Sequence, residues 1–277
     1  MLLLEMIKSK ENKLLKHAKK LNNRKYRQEN NEFAIEGIRF VEEAVDVVCA
    51  GDGVGVFIKY CLCSESLNGD RIQKIIEKMQ SNDIKLYKVQ DGLIEEICET
   101  KSPQGILAIV EKKEIKFSDI IKKSSFAVIV DRIQDPGNLG AIIRSADAAG
   151  ADLVIVNEGT VDVYSPKVLR ATMGSIFHVP VIFVDDVTAA IEDMKIQGFK
   201  VYASSLEGST IYYEENYCFK SAIVIGNEAN GIDNKILQCA DRLIKIPMPG
   251  KSESLNASVA CGILLFEVVK QRMNIDK

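Results

Sequence analysis

The sequence predicts an α/β protein in two parts, the second built on a mostly parallel sheet with helices on both faces. Three observations predict it. Short apolar runs alternate with helical patterns along the whole chain, as in sheets layered with helices. In the second half these runs are continuous, as in Phe126-Ala-Val-Ile-Val130 and Ala222-Ile-Val-Ile-Gly226, which suits strands covered on both sides. A charged connector, Glu111-Lys-Lys-Glu-Ile-Lys116, separates the halves. It sets the expected boundary: one domain over residues 1–112, another over 113–277. A chain of 277 residues has room for both.

The first half reads in order as follows. Ile7, Leu14, Leu15, Ala18 and Leu21 keep helical spacing, so residues 5–22 predict an amphipathic helix, ended by Asn22-Asn23. Arg24-Lys-Tyr-Arg27 is a basic cluster with one aromatic. Phe33 and Ile35 alternate into a short strand, and Glu36-Gly37 leads into a helix to about Val48. A strand at 54–63, a helix at 70–81, a strand at 84–89, a helix at 91–99 and a strand at 105–110 complete it. Gly51-Asp-Gly-Val-Gly55 imitates a dinucleotide loop. It precedes a strand instead of joining strand to helix, so it is set aside.

The second half opens on the strand Phe126–Val130, ending at Asp131. Asp135-Pro-Gly-Asn138 has turn chemistry, and a small-residue helix follows to Ala149, stopped by Gly150. Leu153–Val156 is the next strand. Ser165-Pro166 starts a helix through Ile176. A strand at 179–184, a helix at 187–197, a strand at 200–204, the strand at 222–226 and a helix at 233–240 follow. Leu243–Ile246 is the last strand, and Pro247 and Pro249 end its ladder. Beyond a polar loop, Ser254 is the expected N-cap of a long helix, Leu255 to about Met273. That helix is apolar almost all round until Glu267, which predicts burial on more than one side.

Composition narrows the chemistry. The formal net charge of −3 hides a basic arm: residues 8–27 hold nine Lys/Arg and a single acid, Glu11. Such an arm suits an anionic partner. Seven cysteines, with no Cys-x-x-Cys pair and only two histidines, fit free thiols in a reducing compartment and no metal centre. No apolar run reaches the length of a membrane span, and the start is charged too early for a signal peptide. A cytoplasmic location without membrane attachment is expected.

Three loops, Asp135–Asn138, Gly226–Gly231 and Pro247–Asn256, stand at the carboxyl ends of predicted strands, where open α/β sheets bind ligands. None is a P-loop or a Gly-x-Gly-x-x-Gly turn, so ATP, GTP and NAD lack their signatures. Taken singly, Asn138 reads as a turn residue, Arg144 as a surface charge, Glu228 as a solvated loop residue and Ser254 as a cap. Taken together, Asp135-Pro-Gly-Asn-Leu-Gly-Ala-Ile-Ile-Arg144-Ser-Ala, Ile223-Val-Ile-Gly-Asn-Glu228-Ala-Asn-Gly231-Ile and Ile246-Pro-Met-Pro-Gly-Lys-Ser-Glu-Ser-Leu-Asn256-Ala-Ser-Val-Ala resemble the three motifs of the SpoU family of RNA ribose 2′-O-methyltransferases, in the SPOUT superfamily. Asn31-Glu-Phe-Ala-Ile-Glu-Gly37 and Ser102-Pro-Gln-Gly-Ile-Leu-Ala108 resemble its ribosomal-protein L30e-like substrate-binding domain.

The resemblance implies a trefoil-knotted catalytic domain, a homodimer, S-adenosyl-L-methionine as methyl donor and no metal. It implies Arg144 as the catalytic arginine, acting at the ribose 2′-hydroxyl or the adjacent phosphate, with Asn138, Glu228, Ser254 and Asn256 around it. An arginine is a poor base, so polarising the hydroxyl or clamping the phosphate is the expected role. The donor would be held mostly by main chain along Ser204, Ser205, Leu206, Gly226, Asn227, Ile246, Pro247, Met248 and Leu255. RNA contacts are expected from Lys13, Lys16, Lys20, Arg24, Lys25, Arg27 and Arg39. The expected substrate is 23S-type ribosomal RNA, either housekeeping or protective against an antibiotic. Transfer RNA and a non-catalytic RNA-binding role are the alternatives.

Overall fold

A computed structural model describes residues 6–51, 55–100 and 102–274. The chain forms two compact units: residues 1–114 with 164–169, and residues 115–163 with 170–277. The loop with Gly51 and Gly55 falls partly outside the described residues, at positions 52–54, as does residue 5.

In the first unit, strands β1 (Met6–Ile7), β2 (Glu32–Glu36), β3 (Val56–Ser64), β4 (Leu86–Val89) and β5 (Ile106–Lys112) form one sheet in the order β1-β4-β3-β5-β2. The sheet is mixed: β1, β4 and β3 run parallel, while β5 is antiparallel to β3 and β2. Helices α1 (Lys13–Lys20), α2 (Arg24–Asn30), α3 (Ile38–Ala50) and α4 (Asp70–Ser81) complete it. The helix expected over 5–22 is corrected here. Ile7 pairs with Val89 as a strand, and α1 starts only where the Asn12 side chain accepts from Leu14 N. The basic cluster at 24–27 lies inside α2, capped by Asn23. The helix expected over 91–99 is a run of turns. Ile94 and Ile97 are buried at helical spacing, but Gly92 at φ +81 turns the chain the left-handed way.

In the second unit, β6 (Phe126–Val130), β7 (Leu153–Val156), β8 (Val181–Phe183), β9 (Lys200–Ser204), β10 (Thr210–Ile211), β11 (Ser221–Ile225) and β12 (Arg242–Lys245) make a wholly parallel sheet, ordered β10-β12-β9-β11-β6-β7-β8. All carboxyl ends therefore lie along one edge. Every residue of β6, β7 and β11 is buried, which explains their uninterrupted apolar runs. On one face, α5 (Phe117–Lys123), α8 (Val187–Ile196) and α9 (Asn234–Cys239) cover a core with Ile129, Ile191, Val224 and Ile236. Elsewhere in this unit α6 (Pro136–Ala148) packs against α10 (Ala257–Met273). Gly262 of α10 lies beside Ser145 of α6, where a Cβ would make ordinary contact with the Ser145 hydroxyl at 4.0 Å.

Helix starts differ from expectation in ways that matter for the site. Asp135 caps α6 by accepting from Asn138 N at 2.8 Å, so Pro136 to Asn138 are its first turn and not a preceding loop. The helix expected over 166–176 breaks: α7 (Pro166–Thr172) ends before Met173 and Gly174, at φ +53 and +103, and a separate 3-10 turn covers Ser175–Phe177. Helix α10 starts at Ala257 and its cap is Asn256, not Ser254. Its expected burial is also corrected. Cys261, Leu264, Leu265 and Val268 are buried, but Val259 and Phe266 are about half exposed, at 51% and 50%. Strand β10 and helix α5 have no counterpart in the sequence reading.

Candidate active site

The parallel sheet brings the three motif loops to one edge, and one amide joins them. Asn138, in the first turn of α6, donates from Nδ2 to Glu228 Oε1 at 2.8 Å. Its Oδ1 accepts from Asn256 Nδ2 at 2.8 Å. Asn256 uses its own Oδ1 on Ser258 N, Val259 N and Ser258 Oγ, at 2.9, 3.3 and 2.6 Å, to start α10. Glu228 also faces the backbone N–H groups of Gln134 and Asp135, at 3.4 and 3.3 Å. Burial works to raise its carboxyl, but the bonds from Asn138 and from the main chain outweigh it and hold the group below its ordinary value.

A cavity of about 700 Å³ opens beside this chain of side groups. Ser204 at the end of β9 with Ser205 and Leu206 beyond it, Gly226 and Asn227 after β11, and Ile246, Met248 and Leu255 after β12 all line it, with Glu228, Ser254 and Asn256. Pro247 is exposed and is not part of the lining. In an extended segment alternate residues share a side, so Ile246 and Met248 turn in while Pro247 does not. Arg144 is also outside the lining; it is exposed on α6, and among the described residues its guanidinium has no ion-pair or hydrogen-bond partner. Gly226 is a close approach of backbone to backbone: a Cβ there would fall 2.5 Å from Gly231 C and Ile232 N. The loop is tied across its neck, with Asn227 and Gly231 exchanging N–H and C=O at 3.0 Å. Asn227 Oδ1 accepts from Ala229 N and Asn230 N.

The lining has a chemical character. It carries no Lys, Arg or His and two carboxylates, Glu207 and Glu228. Apolar walls come from Leu206, Ile246, Met248 and Leu255, and hydroxyl or amide groups from Ser204, Ser205, Asn227 and Asn256. A phosphate-bearing ligand would find no counter-charge in it, whereas a cationic adenosyl ligand without phosphate fits the walls, the polar groups and the sign of the charge. Among the described residues no cluster of His, Cys, Asp or Glu is suited to a metal ion.

Two residues to which the sequence assigns no role hold this edge together. Asp131, fully buried at the end of β6, accepts from Arg132 Nε and Nη2 at 3.0 Å each, from Asn157 Nδ2 at 2.7 Å and from Asp233 N at 2.8 Å. Arg132 has the left-handed backbone, φ +55. Its carbonyl accepts from Asn227 Nδ2 at 2.7 Å and its N–H donates to Asn157 Oδ1 at 2.9 Å. The hydrogen bonds to Asp131 come first among the causes that hold the guanidinium charge more firmly than usual. The available signal was an acid directly after a buried strand.

Of the residues expected to meet RNA, Lys13, Lys16, Lys20, Arg24, Lys25 and Arg39 are exposed. Arg27 is not: it is 5% exposed and donates from Nη1 to Leu21 O at 2.6 Å. Its position on the inner face of α2 makes it a tie between α1 and α2, so it leaves the set of phosphate contacts. All seven cysteines are free thiols. Burial alone raises Cys261 to about 12, which makes it inert.

Comparison with known proteins places both halves of the chain. The SpoU rRNA methylase family matches residues 125–266, and an MRM3-like substrate binding domain matches residues 12–108. The 23S rRNA (guanosine(2553)-2′-O)-methyltransferase RlmP of Bacillus subtilis is 34% identical over 265 residues, 96% of this chain and 99% of that protein. Among solved structures, the AdoMet-bound rRNA methyltransferase of Sinorhizobium meliloti superposes with a TM-score of 0.83 at 31% identity, over 96% of this chain and 98% of that one. The SpoU methyltransferase AviRb of Streptomyces viridochromogenes, in complex with AdoMet, gives 0.81 at 28% identity, over 95% and 98%. The family match falls on the domain that carries the cavity, and the likeness to RlmP runs through both halves: this chain belongs to the SpoU rRNA methylase family.

Proposed function

We propose that the chain transfers a methyl group from S-adenosylmethionine to a ribose 2′-hydroxyl of RNA, with 23S-type ribosomal RNA as substrate. One observation carries the reading: Asn138 joins Glu228 and Asn256 beside a cavity whose lining has carboxylates but no basic side chain. The bound donor supplies an activated sulfonium methyl, so the protein's task is alignment and charge handling. Ser204, Ser205, Leu206, Gly226, Asn227, Ile246, Met248 and Leu255 hold the donor. Asn138, Glu228 and Asn256 fix the position of the loops around it, and Ser254 stands at the rim. Arg144, free of protein partners among the described residues, clamps the phosphate next to the reactive hydroxyl or polarises that hydroxyl. Relatives named as rRNA methyltransferases span both halves of the chain, which favours ribosomal over transfer RNA.

The active form in this reading is a homodimer. Val259, Phe266 and Met273 recur every seventh residue on α10 and are 51%, 50% and 66% exposed in the single chain, a stripe a second copy would cover. Arg144 then completes a site shared between copies. We further propose that the segment from β12 to α10 is threaded as a trefoil knot, since it lines one cavity with both the 204–207 and 226–232 loops before α10 reaches α6. Residues 1–112 serve as the L30e-like RNA-binding domain and 113–277 as the methyltransferase domain, in the cytoplasm. Among the described residues no helix is long and apolar enough to cross a membrane.

The test uses the purified chain, radiolabelled S-adenosylmethionine and 23S rRNA, followed by ribose-methylation mapping. Wild type marks one 2′-oxygen. Arg144→Ala lowers turnover about a hundredfold or more while binding the donor as wild type does. Absence of donor binding by wild type would sink the reading.

A further inference from the structure

The corner between α1 and α2 has features that a simple helix junction does not need. It borders an open surface groove of about 620 Å³, lined by Lys19, Lys20, Lys25 and Tyr26, with Glu29 as the acid in that lining, 3.9 Å from Lys25. Lys20 Nζ stands 5.6 Å from the Tyr26 ring centroid. The ring is held in place. Its hydroxyl meets His17 Nδ1 at 2.9 Å, and His17 Nε2 lies 2.5 Å from Glu32 Oε2. Glu32, 3% exposed, also takes the Lys59 ammonium on its other oxygen. Apolar side chains would join two helices without the cost of burying a carboxylate. What this chain of polar groups delivers is a tyrosine ring held in one orientation at the wall of a cationic groove.

We infer that this corner binds an unpaired RNA nucleotide, its base stacked on Tyr26 and its phosphate held by Lys19, Lys20 and Lys25. The inference rests on the reading that the substrate is RNA. An aromatic platform set among cations is the combination that holds single strands, because every base offers a π-face and every step a phosphate. A duplex keeps its bases inside the stack and cannot use the ring. The corner therefore selects a looped or splayed nucleotide and orients the substrate by it.

Fluorescence anisotropy of the full chain tests this with a labelled oligouridylate and an RNA duplex of equal length. Tyr26→Leu loses roughly tenfold in affinity for the single strand, with duplex binding and the salt slope unchanged. Tyr26→Phe keeps the ring and binds as wild type. Lys19→Ala with Lys25→Ala flattens the single-strand salt slope by roughly 0.7 per lost phosphate contact. Equal single-strand binding by Tyr26→Leu and wild type overturns the inference. So does a Tyr26→Phe that falls as far as Tyr26→Leu, because the hydroxyl tie and not the ring would then matter. NMR of the wild-type chain decides independently of how any variant folds: the oligouridylate shifts the Tyr26 ring resonances and the duplex does not, and unmoved resonances overturn the inference. A wild-type chain that binds neither RNA removes the RNA reading itself; one that binds both with Tyr26 uninvolved removes only this inference.

Discussion

Asp131→Asn is the sharpest probe of the clamp that holds the ligand edge. The replacement has the same shape but one acceptor oxygen instead of two. Asp131 Oδ1 serves Arg132 Nε and Asn157 Nδ2, and Oδ2 serves Arg132 Nη2 and Asp233 N. Whichever way the new amide turns, its NH2 group faces two donors. The Arg132 side chain is 35% exposed, so water can satisfy its share. The other donor, Asn157 Nδ2 or Asp233 N, has lost a carboxylate at the fully buried end of β6. Leaving one such donor unmet costs about 1–3 kcal/mol, and loss of the carboxylate charge beside Arg132 adds to it. A total of about 3 kcal/mol would lower the melting temperature of a domain this size by roughly 6–12 °C. Thermal melting followed by circular dichroism measures it. Because Arg132 O also holds the Asn227 side chain, the affinity for S-adenosylmethionine falls in parallel, and Asn227→Ala adds little to the double variant. An Asp131→Asn melt within about a degree of wild type would refute the argument, since a shift that small answers to only a few tenths of a kcal/mol.

Three further outcomes are expected. Gly226→Ala places a methyl 2.5 Å from Gly231 C and Ile232 N, so the 226–231 loop must move; calorimetry should find donor binding abolished in a chain that still shows its native circular dichroism. Glu228 binds its proton less readily folded than unfolded, so it contributes stability above about pH 4.5 and loses it as pH falls through the depressed folded value; urea unfolding across the acid range should show this slope in wild type and less of it in Glu228→Gln. Phe266→Glu puts a charge on the half-exposed stripe of α10, and size-exclusion chromatography with light scattering should report dimers for wild type, as proposed, and monomers for the variant.

What could be read from residues was what is local and periodic. Strands β6, β7 and β11 stand out because burial on both faces demands unbroken apolar runs. Helix α4 shows itself through Ile72, Ile75, Ile76 and Met79, all on one buried face. The same spacing misled at Ile94 and Ile97, where Gly92 overrides it. Arg27 misled in the opposite sense: it sits among exposed cations in sequence yet lies on the inner face of its helix. The motif loops could be found one by one, but their order along the sheet could not. Nor could the joining amide, since Asn138 and Glu228 are 90 positions apart. The role of Asp131 and Arg132 was not legible for a related reason: an acid and a base side by side look like the solvated end of a strand until β7 and α9 close over them.

The Asn256 amide has two ends with two employers. Its oxygen starts α10 and its nitrogen reaches Asn138. An aspartate there would serve the helix equally well and would fail Asn138, having no hydrogen to give. The choice between two nearly identical side chains is thus set by one proton. The same amide ties the third loop to the other two: until α10 has wound and docked, the Asn138 oxygen lacks its donor, and Asn138 joins only the Glu228 loop.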